Sequence, residues 1–191
     1  MKTKTQPANY IYPLPLALIG ADDCDGKPNF MVVAYVAPLN HEPPIISVSM
    51  GKTHYTNPCI EDRGVFSVNI PSRAMIAAVD YAGSVSAADT DKSKLFKVDR
   101  GELGAPLVRS CPISLECRLD QVLEYEHNKA YVAEIVNAYV DDAVMAEGLP
   151  DMAKVDPLLF SMHNFQYFEL GKMLGQVWSL APTFEPLQEG V

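Results

Sequence analysis

Ile113-Ser114-Leu115-Glu116-Cys117-Arg118-Leu119-Asp120-Gln121-Val122 alternates apolar and polar residues over ten positions. Such a period of two sends one set of side chains into a core and the other toward solvent, as in a half-buried strand. After a turn at Glu126-His127-Asn128-Lys129, the segment from Tyr131 to Val140 returns as a second strand. Two long strands joined by a short turn make an antiparallel hairpin. The hairpin leaves open edges, so the rest of the chain has to supply strands that pair with it or cover it.

The other segments supply them. Residues 11–19 are apolar but carry Pro13 and Pro15, which points to an edge strand or an entry segment. Residues 22–27 form a turn with Asp25-Gly26 as its hairpin signal, and a strand runs over 29–36. Pro38 and residues 41–44 read as a loop, followed by a strand over 45–50. Thr56 fits a helix N-cap, with Asn57-Pro58 in the first turn, Arg63 near the end and Gly64 as the stop. A strand spans 65–70. Pro71-Ser72 then open a helix with an apolar stripe of Met75, Ile76 and Val79, ending at residues 81–84. A polar run over 86–94 leads to a short helical piece at Leu95-Phe96. Short strands are expected at 157–160 and 165–170, and a short amphipathic piece at 171–178. The expectation is a mainly β fold with short helices. Six or seven antiparallel strands close into a barrel, which removes sheet edges.

The 191 residues fit a single domain, 1–191, with a core over about 10–175 and a tail over 176–191. A net charge of −9 argues against a nucleic-acid partner or an anionic membrane surface. No run of about 18 apolar residues is present, so no membrane span is expected. The basic start at Lys2 and Lys4 and the apolar residues 14–21 imitate a leader. The prolines and the acidic Asp22-Asp23 do not fit one, and a cytoplasmic address is expected. The four cysteines contain no C-x-x-C pair, so buried free thiols are expected and no metal site.

One stretch suggests chemistry. The strand over 45–50 breaks at Gly51, then brings Lys52, Thr53, His54, Tyr55 and Thr56 into five positions ahead of a helix. A helix N-terminus has amides without internal partners and a dipole that favours negative charge, so an anion can sit there. The stretch lacks the upstream glycine of a Walker loop. An ordinary solvated turn explains the same residues.

The order of several stretches adds to this reading. They are Tyr12-Pro13-Leu14-Pro15; Asp25-Gly26-Lys27-Pro28-Asn29-Phe30-Met31; Pro43-Pro44-Ile45-Ile46-Ser47-Val48-Ser49; and Phe66-Ser67-Val68-Asn69-Ile70-Pro71. Asp80-Tyr81-Ala82-Gly83-Ser84-Val85-Ser86, Asp91-Lys92, Gly104-Ala105-Pro106-Leu107, Cys111-Pro112-Ile113-Ser114-Leu115-Glu116-Cys117 and Pro157-Leu158-Leu159 complete the series. Together they resemble the flavin reductase-like family with the FMN-binding split-barrel fold, near its flavoredoxin branch. The resemblance implies a Greek-key-like barrel that forms a homodimer, with FMN near the subunit interface. It implies phosphate contacts from Ser49, Lys52, His54 and Thr56, with Met50 in the same cofactor-binding turn. It implies ribityl and ring contacts from Asn29, Met31, Val32 and Val33 and from Gly83 and Ser84, with Lys92 nearby. Family members often carry arginine at or near position 54. An imidazole cannot make the same bidentate clamp, so Lys52 would carry more of the phosphate charge.

Three functions are compatible with this reading. The first is an NAD(P)H-dependent flavin reductase, in which the cofactor does the chemistry and no side chain is a catalytic acid or base. With no G-x-G-x-x-G fingerprint, the nicotinamide would stack on the exposed ring face. The second is a flavoredoxin-type electron carrier whose acidic surface docks a basic redox protein. The third is a barrel that binds no flavin and serves as an interaction module. His163, Phe165 and Trp178 are either ring-stacking groups from a partner subunit or packing residues. Cys59 has no base placed beside it.

Overall fold

The computed structural model of the chain describes residues 1–179. Its strands in chain order are β1 (Leu14–Pro15), β2 (Ala17–Asp22), β3 (Pro28–Val33), β4 (Val36–Asn40), β5 (Ile45–Gly51) and β6 (Val65–Ile70). There follow β7 (Val98–Arg100), β8 (Pro106–Val108), β9 (Ile113–Glu124) and β10 (Asn128–Val140). The last are β11 (Met145–Ala146), β12 (Leu149–Pro150), β13 (Leu159–Ser161) and β14 (Gln166–Phe168). The α-helices are α1 (Thr56–Arg63), α2 (Ile76–Ser84) and α3 (Met152–Val155).

Seven strands form one antiparallel sheet in the order β3-β2-β6-β9-β10-β5-β4. Its two outermost strands, β3 and β4, are neighbours in the chain, separated only by Ala34 and Tyr35. The sheet therefore curls until its ends meet, and the Ser49 amide donates to the Tyr35 carbonyl at 2.9 Å beside the seam. The long hairpin is as expected, with Ile113 opposite Val140 and Glu124 opposite Lys129. Its register slips twice, between Val132 and Ala133 and between Ile135 and Asn137. Such bulges bend a strand and increase its twist, which helps a sheet to close.

Two cores flank the barrel wall. Inside lie Ile19, Val48, Phe66, Val68, Cys117 and Tyr131. Outside, Leu18, Phe30, Val108 and Leu158 pack with Met75 and Val79, beside the start and middle of α2. Leu18 and Ile19 are adjacent on β2 and both fully buried, so this wall is covered on both faces.

Several local expectations need correction. Of residues 11–19, β1 is an edge strand of a three-stranded sheet, as expected, but β2 is internal, since it pairs with both β3 and β6. Pro13 and Pro15 lie before it, and the main ladder starts at Ala17, where backbone donors are again available. Pro38 lies within β4, which is tolerated because β4 ends the sheet order. The stripe on α2 is Met75, Val79 and Ala82; Ile76 faces outward at 40% exposure. Leu95 and Phe96 follow a single 3₁₀ turn over Lys92–Lys94. Residues 171–178 form neither helix nor strand. Cys24 is exposed, while Cys59, Cys111 and Cys117 are buried, and all four are free.

Among the described residues, no helix is long and apolar enough to cross a membrane. Nor does any group of three His, Cys, Asp or Glu side chains converge in a way that could hold a metal ion. Residues 180–191 of the expected tail lie outside the described part.

Candidate functional site

The turn between β5 and α1 is held by backbone and one asparagine. The His54 amide donates to the Gly51 carbonyl at 3.2 Å, and the Asn57 amide to the His54 carbonyl at 3.1 Å. Asn57, itself buried, donates its side-chain N–H to the same Gly51 carbonyl at 2.8 Å. The His54 ring folds back over Gly51, where an added Cβ would stand 3.2 Å from its Cδ2. Tyr55, not Thr56, occupies the N-cap position of α1, and no side chain caps the helix. The Thr56 hydroxyl instead accepts the side-chain N–H of Asn29 at 2.9 Å, tying β3 to the start of α1. Both residues are buried.

The opposite wall comes from the end of α2. The helix stops at Ser84, whose hydroxyl donates to the Tyr81 carbonyl at 2.8 Å, and Val85 is extended. Farther on, the Asp91 carboxylate accepts the Ser93 amide at 2.9 Å and starts the 3₁₀ turn that turns Lys92 inward. The Lys92 ammonium donates to the Phe30 carbonyl on β3 at 3.2 Å and to the Ala82 carbonyl of α2 at 2.7 Å. A cation beside the last carbonyls of a helix also suits its dipole. Lys92 is only 6% exposed, and no carboxylate pairs with it among the described residues. Burial lowers its pKa. The pKa of His54 is lowered too, first by burial and then by the charge on Lys92.

Between these walls lies a cleft of about 260 Å³. Asn29, Met31 and Val32 of β3 line it, with His54 and Thr56 from the turn, Gly83 and Ser84 from α2, and Lys92. Eight of the twelve residues expected from the sequence thus meet here. The lining contains no carboxylate, which makes the cleft locally positive on an acidic protein.

Four expected residues lie elsewhere. Val33 and Met50 point into the barrel core. Ser49 accepts the Asn128 side-chain N–H at 3.3 Å, next to the hairpin. Lys52 pairs with Glu124 at 3.2 Å, and its amide donates to the His127 carbonyl at 3.0 Å, so it turns toward the hairpin end. Tyr55, Ala82, Val85, Ser86 and Ala87 also line the cleft. The first belongs to the broken strand end and Val85-Ser86 to a stretch already singled out, so adjacency in sequence was their signal.

His163 stacks on Tyr10, with ring centroids 4.8 Å apart, and lies 3.0 Å from the Tyr12 hydroxyl. Phe165 and Trp178 are exposed, and none of the three lines the cleft. A second cavity, about 500 Å³, is larger. Its lining sets Asp22, Asp23 and Asp62 against a single guanidinium, Arg63, which already donates to the Asp23 carbonyl. That surplus of carboxylates repels an anion. Cys59 lies there as well, its thiol pushed up to about 11 mainly by burial, so it is a poor nucleophile.

Comparison with known proteins gives the family and the fold. The sequence matches the flavin reductase like domain over residues 9–169. The structure is similar to flavoredoxin from Methanosarcina acetivorans, with a TM-score of 0.92 and 38% identity over 96% of this chain and 98% of that one. It is also similar to flavoredoxin of Desulfovibrio vulgaris (Miyazaki F), with a TM-score of 0.88 and 35% identity over 95% and 100% of the two chains. A split-barrel protein from Shewanella frigidimarina shares the fold at 19% identity, with a TM-score of 0.77 over 88% and 87%. An antiparallel barrel with its ends joined at β3 and β4, a positive cleft beside α1 and a family match over most of the sequence lead to one assignment. The chain belongs to the flavin reductase-like family.

Proposed function

We propose that the cleft binds FMN and that the protein is an oxidoreductase using a reduced nicotinamide as electron donor. The observation that carries this reading is the pairing of two unmet needs in one buried place. Among the described residues, the Lys92 ammonium has no counter-charge, and Asn29 Oδ1 is buried without a partner. Unsatisfied buried groups of this kind are costly unless a ligand completes them. FMN offers a dianionic phosphate, hydroxyls and a ring edge carrying both donors and acceptors, so the residues fit the group.

In this reading the phosphate lies toward the N-terminus of α1, where His54 and the Thr56 hydroxyl are donors. Asn29, Met31 and Val32 take the ring, and Gly83 and Ser84 take the opposite side. Ser49, Met50, Lys52 and Val33 hold the turn and barrel instead of the cofactor. When bound, FMN supplies two-electron transfer between the nicotinamide and an acceptor. The chain's residues orient the ring, exclude water from its buried edge and leave the other side open. No side chain in the cleft is required as acid or base. A cytoplasmic setting, where reduced nicotinamide is available, fits this chemistry.

A ligand site usually encloses about 300–1,000 Å³. In this reading the cleft, at about 260 Å³, holds part of the cofactor and a second copy of the chain covers the rest. The test is direct. Purified protein is titrated with FMN by fluorescence quenching, then mixed with NADH or NADPH and followed at the nicotinamide band. Saturable binding and oxidation above the free-flavin background are expected; absence of both rejects the proposal.

A second reading, an electron carrier that retains FMN, is favoured by the likeness to two flavoredoxins at 38% and 35% identity. The net charge of −9 suits docking to a basic redox protein. FMN that stays bound through gel filtration supports the carrier, and FMN lost on dilution supports the reductase. A barrel without flavin remains only if the titration shows no binding.

A further inference from the structure

Asn57 does not line the cleft, yet its side chain ties the end of β5 to α1. It is 2% exposed. Its Nδ2 donates to the Gly51 carbonyl at 2.8 Å, and the same carbonyl accepts the His54 amide at 3.2 Å. The Asn57 amide donates in turn to the His54 carbonyl at 3.1 Å. Asn57 therefore grips the turn at both Gly51 and His54. Its Oδ1 is buried, with no partner among the described residues.

Stability alone does not ask for an asparagine here. A buried acceptor without a donor is destabilising. A leucine of similar size would strand no oxygen. It would also leave the Gly51 carbonyl satisfied, because the His54 amide still donates to it. A leucine could not fix the direction of that carbonyl, and the direction matters to the cleft. The His54 ring lies against Gly51, where an added Cβ would stand 3.2 Å from its Cδ2 and 3.3 Å from its Nε2. The same ring lines the cleft. The placement of Gly51 thus sets the placement of the ring, and Asn57 sets the placement of Gly51.

We propose that Asn57 is a positioning residue for the cofactor phosphate: through the Gly51 carbonyl it seats the His54 imidazole in the cleft, and it touches no part of the cofactor itself. This inference rests on the FMN reading above and goes beyond it by naming the group outside the cleft that readies the phosphate end. A seated ring donates its N–H to a phosphate oxygen without first being ordered, and that ordering would otherwise cost affinity. The seat also leaves a mark on the protein before any ligand binds. Burial, and then the charge on Lys92, lower the pKa of His54. Tyr55 is the other titratable side chain in the lining.

The experiment compares wild type, Asn57→Leu, His54→Gln and the double variant. Thermal melts are recorded for each. Dissociation constants are measured for FMN and for riboflavin, which keeps the ring and lacks the phosphate. The pKa of His54 in the apo protein is followed by NMR. Asn57→Leu is expected to melt at or above wild type. It should weaken FMN about tenfold, as for loss of one charge-assisted hydrogen bond, and leave riboflavin nearly unchanged. The pKa of His54 should rise toward the ordinary imidazole value of about 6.5. On the His54→Gln background, Asn57→Leu should cost little further FMN affinity, because the two residues act as one unit.

Equal losses of FMN and riboflavin overturn the inference, as does a His54 pKa that does not move. Losses that simply add in the double variant overturn it too. An Asn57→Leu protein that melts well below wild type shows that the amide serves the fold, and has the same result. A wild type that binds FMN no tighter than riboflavin has no seated phosphate donor, which again overturns it. In all these cases wild type still binds FMN and the cofactor reading stands. A wild type that takes up neither flavin overturns both.

Discussion

At the scale of single residues, Lys52 shows that a side chain's direction after a strand end is not written in the sequence. It sits between Gly51 and His54 in the stretch most suggestive of an anion site, yet its side chain leaves toward Glu124. Strand alternation ends at Gly51, so nothing in the sequence fixes the direction of the next side chain. The His127 carbonyl does so in space, by accepting the Lys52 amide. Lys52→Ala should therefore leave the FMN dissociation constant within about twofold, since an exposed ion pair contributes only about 0–1 kcal/mol. A fluorescence titration checks this, and a large loss would return Lys52 to the phosphate. His54 gives a pH effect with a defined sign. Burial and Lys92 lower its folded pKa below the ordinary imidazole value of about 6.5. The unfolded chain then binds the proton first, so apo stability present above pH 6.5 is lost as pH falls through the folded pKa. Melts of the apo protein between pH 7.5 and 5 should show this loss, and His54→Gln should show less of it. Equal pH slopes for the two proteins would remove His54 as the cause.

At the scale of elements, what was legible followed period and punctuation. The long hairpin was readable because its alternation continues through both strands. The end of α1 was readable because Gly64 takes a φ of +65°. No atom lies within 4 Å of a Cβ added there, so Gly64→Ala tests the backbone alone and should cost about 1 kcal/mol in urea unfolding. The polar face of β9 was misleading. Ser114 and Glu116 alternate as though toward solvent, yet they are 4% and 0% exposed. The loop over residues 101–105 and the short β7–β8 ladder cover that face, and no local pattern announces them. The Glu116 carboxyl accepts the amides of Leu103 and Ala105 at 2.9 and 3.1 Å. It also accepts from Asn137 at 2.9 Å and from the Tyr139 hydroxyl at 3.2 Å. Gly101 must be small, since an added Cβ would meet that carboxyl at 2.2 Å. Glu116→Gln puts an N–H₂ among these donors and should cost about 2 kcal/mol by urea titration. A cost near zero would mean that the loop has other anchors.

At the scale of the molecule, the sequence showed the β content, but not how the sheet closes. Strand order depends on pairings between distant segments, such as Ser47 with Val132. It also shows in part how the cleft is made. Asn29 and Lys92 are more than sixty positions apart in sequence, and only the packing of α2 against β3 brings them together. The two cores share β2 as a common wall, so they should unfold together. Urea denaturation followed by circular dichroism and by hydrodynamic radius should give coincident transitions. Separate midpoints would show that the helix side and the barrel interior are independent. Tyr10, Tyr12, Phe165 and Trp178 are exposed apolar surface that a second copy could cover, and sedimentation equilibrium should give about twice the chain mass. A monomer at micromolar concentration would reject the shared cofactor site.

The junction at Ala34 and Tyr35 has a consequence for engineering. Hydrogen bonding runs without interruption from β3 round to β4, and only two residues of chain bridge the remaining gap. New termini placed there by circular permutation would unclasp the ring and present two raw strand margins at once. Margins of that kind zip onto those of neighbouring molecules. Such a permutant should form fibrils or polymers, whereas permutants opened at the outer loops should stay soluble.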